Sequence, residues 1–202
     1  MTKRRFIEES SGEEYLHRDV WRVVQRQIEH AQANPEGALL DHLVALVFAS
    51  HTLEGYANFL GEKIAADLWA DERERFRKSG LYGKLTALHE RCGLEAPDKG
   101  RRPYSTVREL KCLRDRIAHP RTIVSPFERT EYVEGKKPPL FGQGYLNRAV
   151  SHERAVRAME DVKAIADRLH DAAMARFQDK RLAPDALEGI LSIRSTSSKL
   201  KE

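Results

Sequence analysis

The sequence is poor in cysteine and in long apolar runs, and both deficits limit what the protein is. Its 202 residues contain only Cys92 and Cys112, too few for a disulfide framework and typical of a reducing compartment. The longest apolar stretch, residues 38–49, contains Asp41 and His42 and is too short to span a bilayer. We therefore expect a soluble, cytoplasmic protein with no membrane partner.

The motifs of several enzyme classes are also missing. The chain has no GxxxxGK[ST] or GxGxxG phosphate loop, no HExxH zinc motif and no GxSxG nucleophile elbow. Neither cysteine has metal-ligand spacing and the histidines are scattered, so we predict no metal site and no cofactor. A net charge of +4 permits binding to a polyanion without requiring it.

Apolar spacing predicts an all-α fold, an antiparallel bundle of four or five helices whose wide apolar faces leave room for a dimer. A first helix is expected to begin at Ser11, which has capping-box spacing to Glu14. The second and longest is expected to begin at Pro35 and to carry one apolar stripe to Leu68. No internal repeat and no strand alternation is recognised in the sequence.

Local stop signals define the remaining helices. A short helix from Leu81 should end at Gly93, and a helix starting near Tyr104, with Thr106 and Glu109 at capping-box spacing, must end at His119 before Pro120. Ser151 should cap a long final helix. The predicted organisation is a flexible basic N-terminus at 1–10, a helical domain at 11–182 with a long loop insertion at 121–147, and a polar, disordered tail at 183–202.

The segment LRDRIAHP, residues 113–120, is the one stretch whose residue types suggest a specific chemical role. Helical geometry places Arg114 at the edge of the buried arc, roughly 40° from Leu110, where its charge needs a carboxylate, a phosphate or a subunit interface. Asp115 and His119 are i, i+4 neighbours. His119 lies where the helix breaks, so its ring can point away from the bundle.

A plainer interpretation is also open, because basic residues at a helix C-terminus complement the macrodipole and helices commonly stop before proline. On the long second helix, His51, Glu54 and Asn58 fall within roughly 60° of arc. Glu54 would pair with Arg114 and Asn58 would fix a loop; alternatively these residues form an ordinary solvated helix edge, which is the reading we favour for His51.

The run LKCLRDRIAHP resembles the signature of the HEPN superfamily, an arginine, a polar residue, and a histidine after four to six residues. The similarity covers residues 35–121, including HTLEGYANFLGEKI on the second helix, whereas residues 121–147 and the tail match no pattern. The resemblance implies a homodimer that cleaves RNA without a metal, leaving a 2′,3′-cyclic phosphate and a 5′-OH end.

The resemblance also assigns roles to residues. His119 would be the general acid or base, Arg114 would stabilise charge on the phosphoryl oxygens, and Asp115 would orient His119 or Arg114. Glu54 and Asn58 would support this site. Basic residues within the segment and on either side of it are the candidates for contacting RNA: Arg101, Arg102, Arg116 and Arg121.

Such nucleases often act as toxins or phage-defence effectors, with an antitoxin or regulatory protein as partner. The competing hypothesis is a non-catalytic HEPN-like module that binds RNA, a nucleotide or a protein. A third is a regulator that responds to a small molecule, with residues 121–147 as its lid. For the basic cluster around Arg101 and Arg102, the alternative to a role in RNA binding is an ordinary solvated loop.

Overall fold

The computed structural model describes residues 6–122, 144–178, 182, 185–189 and 192–200. Within them the chain is mostly helical, which confirms the predicted fold class at that level. The described helices are α1 Leu16–Ala33, α2 Ala38–Ile64, α3 Ala66–Trp69, α4 Glu72–Arg75, α5 Gly80–Cys92, α6 Tyr104–Ala118, α7 Tyr145–Ala149 and α8 His152–Phe177. None of these helices has the length and apolar character needed to cross a lipid bilayer.

The helix α2 lies at the centre and contacts α1, α5, α6 and α8. Its side chains at Leu53, Tyr56, Ala57 and Leu60 are completely buried, as expected of a helix that is apolar on nearly every side. The neighbouring helices bury residues at helical spacing against it, including Trp21, Val24, Leu85, Leu88, Leu110, Leu113, Ile165 and Leu169. This packing fixes α2 and α6 side by side, the two helices that carry the candidate site.

Two predicted helix starts are wrong. The first helix begins at Leu16 rather than at Ser11, and its N-cap residue Tyr15 makes no side-chain cap bond. The second begins at Ala38 after Gly37, whose φ of 87° lies in the left-handed region that glycine adopts without strain. It also ends at Ile64, and the residues to Trp69 form the separate turn α3, so the apolar stripe continued across a break in the helix.

The two ends of the chain pair as strands. Phe6–Glu14 (β1) and Ser192–Leu200 (β2) run antiparallel, in register from Phe6 opposite Leu200 to Glu14 opposite Ser192. The sequence alone predicts a flexible start at 1–10 and a polar, disordered tail at 183–202. Each strand supplies the backbone hydrogen-bond partners that the other lacks, and pairing between such distant segments leaves no local periodic signal.

The predicted ends of α5 and α6, the predicted start of α6 near Tyr104 and the predicted cap of α8 are confirmed. Gly93, with a φ of 72°, ends α5, and His119 is the C-cap of α6 directly before Pro120. The Ser151 hydroxyl accepts a hydrogen bond from the backbone N–H of Arg154 and caps α8. Thr106 does not cap α6, because its hydroxyl donates to the buried carboxylate of Asp161 instead.

Candidate functional site

Arg114 is held by two carboxylates. Its Nη1 donates to Oε2 of Glu54 at 2.7 Å, and its Nε and Nη2 donate to Oδ1 of Asp115 at 3.3 and 3.1 Å. The pairing with Glu54 is the one that the helical phase of α2 predicted. The side chain of Arg114 is 25% exposed, so its guanidinium is fixed in direction while one edge remains open to solvent.

Asp115 contacts Arg114 and Lys111. Its Oδ2 forms an ion pair with the Lys111 ammonium one turn earlier on α6. The hydrogen bond from Lys111, together with the hydrogen bond from Arg114, lowers the pKa of the Asp115 carboxyl. Of the two roles expected for Asp115, the contact present among the described residues is the one that orients Arg114.

Lys84 lies behind this pair and was missed by the sequence analysis. Its side chain is only 5% exposed, and its Nζ lies 2.9 Å from Oδ1 of Asn58 and 3.5 Å from Oε1 of Glu54, with a third contact to Glu72. Among the described residues, the Asn58 side chain is therefore bound to a lysine on helix α5, and its expected contact with a loop stays a prediction.

A sequence signal for Lys84 existed. Lys84 follows Leu81 by three positions and precedes Leu88 by four, which places it within the apolar stripe of α5. A buried lysine requires a carboxylate or another acceptor, and Glu54 and Glu72 supply it. Glu54 is thus shared between two cations, one on α5 and one on α6.

His119 lies in a separate, open depression at the end of α6. Its backbone N–H donates to the Asp115 carbonyl at 3.0 Å, while its side chain is exposed. The depression is lined by Cys112, Asp115, Arg116, His119, Arg121, Thr122 and Tyr145. The Arg116 guanidinium sits 4.6 Å from the centre of the Tyr145 ring, an arrangement that holds a cation beside the histidine.

Arg114 and His119 do not converge within one chain. They are five positions apart on α6, which turns them about 140° from each other around the helix axis. Consistent with this, Arg114 is not among the described residues that line the His119 depression. The two side chains therefore start from different faces of α6, with Asp115, which binds Arg114, at the edge of the depression.

The four arginines expected to contact RNA separate into two pairs. Arg116 and Arg121 lie beside His119, whereas Arg101 and Arg102 precede the other end of α6, a helix of 15 residues and so about 22 Å long. Arg102 is bound by its Nε to both oxygens of the buried Asp161, at 3.0 Å each. Its predicted role in RNA binding is not supported by this geometry, because the guanidinium already joins the start of α6 to α8.

Tyr145 was also missed as a site residue. It opens the short helix α7, which begins within the segment 121–147 that was predicted to be a loop; residues 123–143 lie outside the described part of the chain. The available signal was an aromatic residue directly after Gly144 and three positions before Arg148. No family model, curated protein or solved structure matches this chain.

Proposed function

We propose that the protein is a metal-independent endoribonuclease of the HEPN type, built as an antiparallel helical bundle that dimerises through helix faces. The observation that carries this proposal is His119, an exposed imidazole at the end of a rigid helix with Arg116 and Arg121 beside it. An imidazole flanked by cationic side chains suits attack on an RNA phosphodiester.

In the proposed reaction, His119 accepts the proton of a ribose 2′-OH. The 2′-oxygen then bonds to the adjacent phosphorus as the bond from phosphorus to the 5′-oxygen breaks. A proton returned to the 5′-oxygen completes the exchange and leaves a 2′,3′-cyclic phosphate and a 5′-OH end. Negative charge that builds on the phosphoryl oxygens is stabilised by arginine.

Arg114 supplies that stabilisation from the partner copy in this proposal. Three of the five N–H groups of a guanidinium are used by Glu54 and Asp115, so within the described part of the chain two remain for a phosphate. The carboxylates keep the guanidinium in one orientation, so little reorganisation is needed when substrate binds. Because Arg114 and His119 diverge within one chain, the homodimer is part of the mechanism.

A second candidate is a non-catalytic module that binds RNA, a nucleotide or a protein partner. The observation in its favour is that Glu54 and Asp115 already balance the charge of Arg114, which a purely structural arginine would also show. In either case, a toxin or phage-defence role would bring an antitoxin or regulatory protein as partner.

The two candidates are separated by incubating the purified protein with mixed RNA in EDTA. We expect cleavage with 2′,3′-cyclic phosphate ends, reduced about 100-fold or more in His119→Gln and in Arg114→Ala. His51→Gln is the matched control, because His51 is also an exposed histidine but lies on α2.

The outcomes decide between the candidates. Equal cleavage by the wild type and both site variants would exclude the proposed mechanism. No cleavage by any preparation, with RNA retained on the wild type, would favour the binding module. Since Arg114→Ala also removes an ion pair, its urea unfolding curve is compared with that of the wild type, while His119→Gln alters only an exposed side chain.

A further inference from the structure

A cleft of about 330 Å³ opens between α6, α7 and α8. Its floor is formed by side chains of the core, Leu46 from α2 and Leu110 and Leu113 from α6. A cavity of this volume is at the small end of the range for small-molecule sites, which are mostly apolar with a few polar groups placed at the edge. The cleft therefore suits a ligand with a flat apolar part.

The rim of the cleft is cationic. Arg148, Arg154 and Arg157 line it together with one carboxylate, Glu109. Arg157 Nη2 donates to Oε2 of Glu109 at 2.9 Å, and among the described residues that line the cleft arginine is the prevailing charged side chain. The ligand that complements this rim carries negative charge, and arginine favours phosphate because its N–H groups match phosphate oxygens in pairs.

The cleft adjoins the His119 depression. Cys112 and Tyr145 line both cavities, and the Arg116 guanidinium is placed over the Tyr145 ring. Aromatic rings and arginine planes are the surfaces on which unpaired RNA bases stack. A nucleotide in the cleft would thus be adjacent to one whose phosphate reaches His119.

We propose that this cleft is a nucleotide subsite, with the base on the leucine floor beside Tyr145 and the phosphate at Arg148 and Arg154. A volume of about 330 Å³ is in the range of sites that hold one small ligand. The assignment of RNA as the source of that nucleotide rests on the proposed function, whereas nucleotide binding itself does not.

Cys112 provides a direct test. Its thiol is exposed and lines the cleft, while Cys92 is buried, and burial raises the pKa of the Cys92 thiol to about 11. Iodoacetamide should therefore label Cys112 far faster than Cys92. Mass spectrometry would follow labelling of the full chain with and without AMP, GMP, CMP or UMP. We expect saturating mononucleotide to slow Cys112 labelling by about fivefold or more, because only the unoccupied fraction reacts.

Variants of the rim test the placement of the phosphate. Arg154→Gln and Arg148→Gln should each lose most of the protection, whereas Arg26→Gln, an exposed arginine on α1, should keep it. Adenosine and inorganic phosphate, each used alone, should protect less than AMP. The inference would be overturned if no mononucleotide changed the labelling rate of Cys112. It would also be overturned if decanoate protected Cys112 and the mononucleotides did not.

A 2′-O-methyl tetranucleotide, which cannot be cleaved, distinguishes the two sources. Protection at a lower concentration than any mononucleotide requires would assign the cleft to RNA. Protection by mononucleotides without protection by the tetranucleotide would overturn the assignment to RNA. If mononucleotides protect Cys112 but the protein cleaves no RNA, the proposed function alone is overturned. If the protein cleaves RNA but mononucleotides do not protect Cys112, the subsite alone is overturned.

Discussion

Glu54 Oε2 lies 2.7 Å from Nη1 of Arg114, across 60 positions of sequence. This ion pair joins the middle of α2 to the last turns of α6 and sets the direction of the arginine. Both side chains are partly shielded from solvent: 25% of the Arg114 side chain and 32% of the Glu54 side chain are exposed. The pair therefore has consequences for stability as well as for the proposed chemistry.

A double-mutant cycle measures this pair. We expect Glu54→Gln and Arg114→Gln each to lower the free energy of unfolding, and the two together to show a coupling of about 1 kcal/mol. Urea unfolding of the four proteins gives the values. A coupling within error of zero would show that the ion pair contributes nothing to stability. Arg157 and Glu109, an ion pair between α8 and α6, offer a comparison cycle.

Lys84→Met should be among the most destabilising changes of a charged residue. The substitution leaves Glu54 and Glu72 without the cation that they share, and removing one member of a buried ion pair costs about 3 kcal/mol or more. Urea unfolding is the measurement. Lys111→Met is the control, since the Lys111 side chain is 52% exposed, and its cost should be below about 1 kcal/mol. Equal effects of the two substitutions would contradict a buried role for Lys84.

Burial lowers the pKa of three histidines. Desolvation, aided by the charge of Arg18, lowers the pKa of His17 to about 4, and desolvation also lowers the pKa of His42 and of His89. The unfolded chain therefore binds more protons than the folded chain between these values and the ordinary value of 6.5. The contribution of these neutral, buried histidines to the free energy of unfolding is complete above pH 6.5 and is lost as the pH falls.

The free energy of unfolding should accordingly decrease as the pH is lowered from about 7 to about 4, with His17 alone contributing about 3 kcal/mol of the change. Urea unfolding across this range tests the slope. His17→Gln should reduce the slope, and His51→Gln, at an exposed position on α2, should leave it as in the wild type. An unchanged slope in His17→Gln would exclude His17 as the source.

Gly61→Ala should destabilise the protein although alanine favours helices. A Cβ on Gly61 would overlap the indole ring of Trp69, and such overpacking costs about 1–3 kcal/mol, more than the helix preference of about 1 kcal/mol recovers. Thermal unfolding compares it with Gly144→Ala. No atom of the described residues lies within 4 Å of a Cβ built on Gly144, so its substitution should be close to neutral. Equal stability of the two variants would show that Trp69 moves away freely.

Several parts of the site were predictable because they depend on neighbours in sequence. The end of α6 at His119 follows from Pro120, and the exposure of the His119 ring follows from that end. The pairing of Glu54 with Arg114 was predicted from the angular position of each residue on its own helix. By contrast, Arg102 was assigned to RNA because nothing local to it reveals Asp161, which lies 59 positions later.

The sequence by itself determined that the chain is mostly helical and where α5, α6 and α8 begin or end, because helical hydrogen bonds, capping and proline restrictions act within a few residues. Only the tertiary structure decided that Lys84 joins Glu54 and Asn58, that β1 pairs with β2, and that Tyr145 connects the His119 depression to an arginine-rimmed cleft. These contacts depend on how the elements pack, which periodicity along one helix does not specify. Helix packing thus determines which residues surround the LRDRIAHP segment, whereas Pro120 determines where α6 ends within it.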